Sequence, residues 1–554
     1  MTNEKLLWQP NIFAKKVNRL ELLRIKGDNS ESQLKLGVIR NHTFETTGSL
    51  VQKFLLFSNV SSDIEFSGYD DSLSASLSQV AITIIWLDYA RYNMMCSAEL
   101  VSWLVGKLNF LRSSSRAQLI VANDPDDSER ARLINHHLAE WVAVTPGVAI
   151  LDLVKIKEAL GESSFYERRP HLTGSRFSDQ AGLEAARELG LRLIPNFVHP
   201  RIKAIAVDLD HTLYSGVLGE DGINGVRISD QHVQIQTLLK KLVTQGLLIS
   251  IVSRNEPDDV RKLFQERTDF VLEESDISSW HVSWGKKSES IKDAAKMFNV
   301  SPASFLFIDD NIGEISEVVS EIPDIRVIFA GFSPENTALA LEKFPCLWPQ
   351  TSTPEDSLRA EDVRANQQRK LLSKKDDFAY FKDLSIVLDL SIGSNNDIAR
   401  LSEISAKTNQ FNLSLSRFTQ VDVAEYVKDI NRRVIHFRMK DKLADSGSIG
   451  SLFARRESGI LFVDELCISC RAMGRRIEDT LITAAIRRLL EDLPSDVVRF
   501  AYTRGDRNQP ALRWLEAYSG LGVANDKGLV DLPWATRYVK RHIESVPITV
   551  SWRS

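Results

Sequence analysis

Along the first two thirds of the chain, short apolar runs alternate with longer stretches of mixed polarity. Residues 34–39 (LKLGVI), 80–87 (VAITIIWL), 119–122 (LIVA) and 148–153 (VAILDL) are strand-length runs bounded by polar residues, with helix-like stretches between them. This alternation predicts a parallel sheet with helices on both faces. Two prolines at 194–200 (IPNFVHP) interrupt it and mark a boundary. A second series begins at Ile202: strand-like AIAVDLD, helix-like HVQIQTLLKKLVTQG, strand-like LLISIVS and helix-like DDVRKLFQER. A helix follows at 287–298, where Ile291, Ala294, Ala295 and Phe298 recur at i, i+3, i+4, i+7, and then the strands FLFIDDN and IRVIFA. This second doubly wound pattern ends near FPCLWPQTSTPED, and the charged stretch 355–375 predicts one connecting helix. The last block places strands near 384–389, 433–438, 449–454 and 460–469 ahead of the helix RIEDTLITAAIRRLLEDL, an α+β order.

With 554 residues, one hydrophobic core is excluded on size, and three to five domains are allowed. A net charge of −5 gives no basic excess, so nucleic acid is not the expected partner. Four cysteines (Cys96, Cys346, Cys467 and Cys470) make no disulfide framework, and a reducing, cytoplasmic location is expected. The N-terminus lacks a signal-peptide pattern, and no apolar run approaches the roughly 20 residues that span a bilayer.

Candidate chemistry collects at the ends of the middle strands. AIAVDLDHT ends in Asp208 and Asp210, where open α/β sheets bind ligands, and two such carboxylates can hold a cation and divide nucleophile and acid roles. Ser253 ends the next strand with a hydroxyl suited to a phosphate oxygen. Lys287 opens a helix with a positive charge for the same group, and Asp309 and Asp310 add carboxylates for a hard cation such as Mg²⁺.

In this order, these groups resemble the four motifs of haloacid dehalogenase (HAD)-type phosphatases. DLDHTLYSGVLGEDG, SRN, WGKKSESI and FIDDN, with KTNQFNLS at 407–414 and SCRAMGRRIE at 469–478, look like the FkbH-like branch. The resemblance implies that Asp208 attacks phosphorus while Asp210 protonates the leaving oxygen and later activates water. Mg²⁺ would sit on Asp208, Asp309 and the Asp210 carbonyl, with Asp310 orienting the metal site. Ser253 and Lys287 would hold phosphoryl oxygens, Asn255 would join the substrate group, and Thr212 would brace the loop.

It further implies that a glyceryl unit from 1,3-bisphosphoglycerate, a phosphorylated three-carbon substrate, is loaded onto a phosphopantetheinylated acyl carrier protein for polyketide-type biosynthesis. Alternatives are a small-molecule phosphatase whose last domain only recognises substrate, and an N-acyltransferase using acyl-coenzyme A. Cys346 and Cys470 are the candidate thiols for acyl transfer.

The last block is similar to GNAT acyltransferases, whose phosphate loop would use Arg471 and Gly474, although Arg476 fills a position that is normally small. Lys407, Asn409, Gln410 and Asn412 are candidates for a polar substrate or the pantetheine arm, or else form a hydrogen-bonded turn; Asn508, which leads into the closing helix, is a further candidate for the same ligand. The first block weakly resembles an SGNH-hydrolase-like domain whose nucleophile motif is replaced by GVIRNHTFE, so docking rather than esterase chemistry is expected. The predicted organisation is SGNH-like α/β (1–198), a HAD-type Rossmann-like doubly wound sheet (199–350), a linker helix (351–377) and GNAT-like α+β (378–554).

Overall fold

The computed structural model describes residues 3–26, 33–69, 79–348, 365, 382–469, 472–473, 475–523, 525–534 and 548–553. The predicted linker helix therefore lies outside the described residues, apart from Ala365. The chain is α/β with three sheets. The first contains β1 (Leu34–Arg40), β2 (Ser62–Phe66), β3 (Ile82–Trp86), β4 (Gln118–Ala122) and β5 (Val148–Leu151), in the order β2-β1-β3-β4-β5 and parallel throughout. The second contains β6 (Ala204–Val207), β7 (Leu248–Ser253), β8 (Ile277–Val282), β9 (Phe305–Asp309) and β10 (Arg326–Phe329), parallel in the order β10-β9-β6-β7-β8.

Strands β6, β7 and β9 are buried at every position, because helices cover both faces of the sheet. That is why their sequences read as unbroken apolar runs rather than alternating ones. Strand order reverses between β6 and β9, which lie side by side, and this is the switch point where open sheets admit ligands.

The third sheet contains β11 (Val387–Ile392), β12 (Phe411–Asn412), β13 (Arg432–Lys440), β14 (Asp445–Glu457), β15 (Ile460–Ile468), β16 (Val497–Thr503), β17 (Lys527–Pro533) and β18 (Thr549–Arg553). Their order is β17-β16-β15-β14-β13-β11-β18, with β12 added on β15. Strands β15 and β16 run parallel and pair only from Ile460–Val463 to Val497–Phe500. Beyond that point β12 enters the gap: it pairs with Cys467 and Ile468, and Leu413 bonds to Leu466 and Thr503 across the two strands.

The first two sheets share one hydrophobic core running from Ile12 to Leu347, whereas the third has its own, from Leu384 to Leu532. The helix Asn3–Ile12 crosses over to the second sheet, where Gln9 bonds to the open edge of β10 and Leu6 joins the core beneath β6 and β9.

Candidate active site

Strand β6 delivers Asp208 one residue past its end, with the Asp208 N–H still donating to the Ile308 carbonyl at 3.0 Å. Strand β9 ends on Asp309, so two carboxylates emerge from adjacent strands at the switch point. Lys287 is the first residue of the helix Lys287–Phe298 and reaches between them, with Nζ 3.0 Å from Asp208 Oδ1 and 2.6 Å from Asp309 Oδ2. All three side chains are buried. Burial works to lower the Lys287 pKa, but the two carboxylates outweigh it and raise it. Burial and the neighbouring Asp208 charge push Asp309 up to about 7. Burial, then Asp208, also raises Asp310.

Carboxylate oxygens of Asp208, Asp309 and Asp310 all lie within 4.8 Å of one another, the only such metal-ligand group among the described residues. Asp208 Oδ1 is buried and accepts no well-aligned hydrogen bond, its polar contact being the Lys287 ion pair. An all-oxygen set with a buried, under-used acceptor fits a hard divalent cation.

Asp210 is turned away from this cluster. Its Oδ1 accepts from the Tyr214 hydroxyl at 2.6 Å and the Leu218 N–H at 3.0 Å, and its Oδ2 accepts from Asn255 Nδ2 at 3.0 Å. The side chain is thus fixed by three hydrogen bonds and is not in the carboxylate cluster of Asp208, Asp309 and Asp310; its carbonyl is the expected metal contact. The turn needs His211 at φ 53°, a left-handed conformation that histidine tolerates better than most residues. A bridge between Ser215 and Arg227 closes the following loop.

Ser253 ends β7 and is buried, with Oγ accepting from Asn255 at 3.2 Å. Asn255, expected to bind substrate, is itself buried and donates its amide nitrogen to Asp210 and Ser253. Thr212 is buried beneath the loop. Tyr214 had no signal of its own in the sequence. Only its place four residues after Asp210, on the turn that folds back, could have pointed to it.

The thiol expected at Cys346 is misplaced for acyl transfer. Its carbonyl accepts from the Ile202 N–H at 3.0 Å, at the amino end of β6, whereas Asp208 lies at the carboxyl end. Six residues at about 3.3 Å each put it roughly 20 Å away. Burial also raises its pKa to about 11. Cys470, Arg471 and Gly474 lie outside the described residues.

In the third domain, Asn412 and Asn508, both expected to contact substrate or the pantetheine arm, make hydrogen bonds within the protein. Asn412 bonds to Glu465 and the Leu415 N–H, and Asn508 bonds to the carbonyls of Asn412 and Thr503 and to the Gly505 N–H. Both side chains are buried, sealing β12 into the gap between β15 and β16. Lys407 pairs with Glu403, Asn409 accepts from Arg417, and Gln410 is exposed.

The sequence matches no protein-family model and none of the curated proteins. Among solved structures, the N-terminal part of the protein BF1531 from Bacteroides fragilis, containing a phosphatase domain complexed with Mg, is 18% identical. That match covers 60% of this chain and 99% of that one, with a TM-score of 0.49. A HAD family enzyme, BT-2542 from Bacteroides thetaiotaomicron, in complex with magnesium and inorganic phosphate as an aspartate-to-alanine mutant, is 15% identical. It covers 23% of this chain and 93% of that one, with a TM-score of 0.17.

Proposed function

We propose that the second domain is a HAD-type, Mg²⁺-dependent phosphotransferase acting on a phosphorylated small molecule. The observation that carries this reading is the pair of strand-end carboxylates, Asp208 and Asp309, bridged by one buried lysine beside a third carboxylate. Asp208 forms a bond to phosphorus as the bond from phosphorus to the leaving oxygen breaks, and Asp210 gives its proton to that oxygen. Water then attacks the aspartyl-phosphate, yields a proton to Asp210, and releases phosphate and free Asp208. Lys287 and Ser253 hold the phosphoryl oxygens, and Tyr214, Asn255 and the Leu218 N–H keep Asp210 aimed. Asp208, Asp309 and the Asp210 carbonyl, with Asp310 beside them, would hold Mg²⁺, which would supply positive charge against the phosphoryl group.

Replacing Asp208 by Asn should abolish phosphate release from acetyl phosphate in the presence of Mg²⁺; turnover within twofold of the wild type would exclude this nucleophile. The finer reading, glyceryl transfer from 1,3-bisphosphoglycerate to a carrier-protein thiol, is supported by the run of FkbH-like sequence signatures. Intact mass spectrometry of a pantetheinylated carrier incubated with enzyme, Mg²⁺ and 1,3-bisphosphoglycerate tests it. A glyceryl mass increase is expected; phosphate release with an unmodified carrier would leave a plain phosphatase.

A further inference from the structure

A cavity of about 210 Å³ lies at the other end of the second sheet, between the helix Asn3–Ile12, the turn after the helix Glu45–Phe57, and the start of β10. Lys5, Ser58, His199, Arg326 and Cys346 line it. Lys5 is only 7% exposed and has no carboxylate partner among the described residues; its Nζ donates to the Phe57 carbonyl at 3.1 Å and to the Asn59 side chain. Those acceptors are neutral, and the helix end that carries the Phe57 carbonyl offers about half a negative charge at most. A buried ammonium without a counter-ion is costly, and desolvation alone pushes its pKa down to about 8.

The other charges point the same way. His199 is held down first by burial and then by the positive charges of Arg326 and Lys5. Arg326, on the wall of the cavity, works to lower the pKa of the buried Cys346 thiol, which burial raises. The buried Ser58 Oγ has no hydrogen-bond partner. The one carboxylate on the lining, Asp324, is exposed, whereas Lys5 is buried without a counter-ion, so the inner wall of the cavity has the chemistry of an anion receptor.

We propose that this cavity binds a small oxyanion, a phosphate or a carboxylate, at a site separate from the catalytic aspartates. The anion would supply the counter-charge that Lys5 and Arg326 lack, and would tie the N-terminal helix to the second domain.

Isothermal titration of the full chain tests this, with inorganic phosphate in one arm and acetate in the other. EDTA is present in both, so that the metal-free aspartate cluster repels the anion. The expected result is binding of at least one of the two anions, with affinity falling tenfold or more in Lys5→Met. Phosphate alone identifies a phosphoryl ligand and acetate alone a carboxylate. If Lys5→Met does not fold, Arg326→Gln should weaken binding about fivefold while preserving the far-ultraviolet spectrum. Absence of binding by the wild type, or affinity unchanged by the substitution, overturns the proposal.

Discussion

Asp309 is a carboxyl group that burial and a neighbouring charge hold in its protonated form well above the usual carboxylate range, up to about 7. A metal ligand must first lose its proton, so metal and proton compete for this residue. Below pH 7 the proton wins, and each unit of acidification should weaken Mg²⁺ binding by up to about tenfold. Titration of the full chain with Mg²⁺ at pH 6 and pH 8 should therefore show about tenfold tighter binding at the higher pH, and equal affinities would remove Asp309 from the ligand set. The strand-end places of Asp208, Ser253, Asp309 and Asp310 were legible from sequence, because an apolar run that stops on a polar residue marks a strand end, and the periodic run after Lys287 marked its helix start. The support around Asp210 was not legible. Tyr214 and Asn255 reach it across a turn and from a neighbouring strand, and no local pattern encodes a contact made only after the sheet has closed.

At the scale of elements, the strands buried on both faces were read within a residue or two, as were the edge strands β5 and β10, but the edge strands β2 and β8 were missed. Strands β2 (SDIEF) and β8 (ISSWHV) end their sheets and alternate or mix polarity, so they lack the apolar run that identifies β6, β7 and β9. The edge of β10 is managed differently. Gln9 acts as a one-residue strand, donating through Nε2 to the Val327 carbonyl at 2.8 Å and accepting from the Phe329 N–H at 3.1 Å through Oε1. An open edge is otherwise a template for unwanted pairing. Gln9 is 3% exposed, so Gln9→Leu would strand both main-chain groups away from water. At about 1–3 kcal/mol for each of the two unpaired groups, the loss should be about 2–6 kcal/mol in urea unfolding. A change below about 0.5 kcal/mol, the range of a neutral surface substitution, would mean that the edge is satisfied by other means.

For the molecule as a whole, sequence punctuation suggested three domains, and one buried cluster joins the first two while the third has its own. Phe344, on the second domain, stacks on Phe13 at 5.9 Å and meets Phe57 edge-on at 5.9 Å, so the first two domains close over the same aromatic cluster. The third domain instead meets them through polar contacts. Arg116 pairs with Glu425 at 2.7 Å, the Gly147 N–H bonds to Gln420, and Arg507 bonds to Ser301. Surface ion pairs of this kind contribute at most about 1 kcal/mol each, too little to couple two cores. Calorimetry of the full chain should therefore show two transitions. Phe344→Ala, costing about 3–5 kcal/mol through the cavity it opens, should lower the one that belongs to both N-terminal domains together. Leu481→Ala, in the separate third core, should lower the other alone. If Phe344→Ala instead split the first transition in two, the shared cluster would be a contact between independently folding domains; if either substitution moved both transitions, the polar interface would be coupling far more strongly than its exposed charges allow.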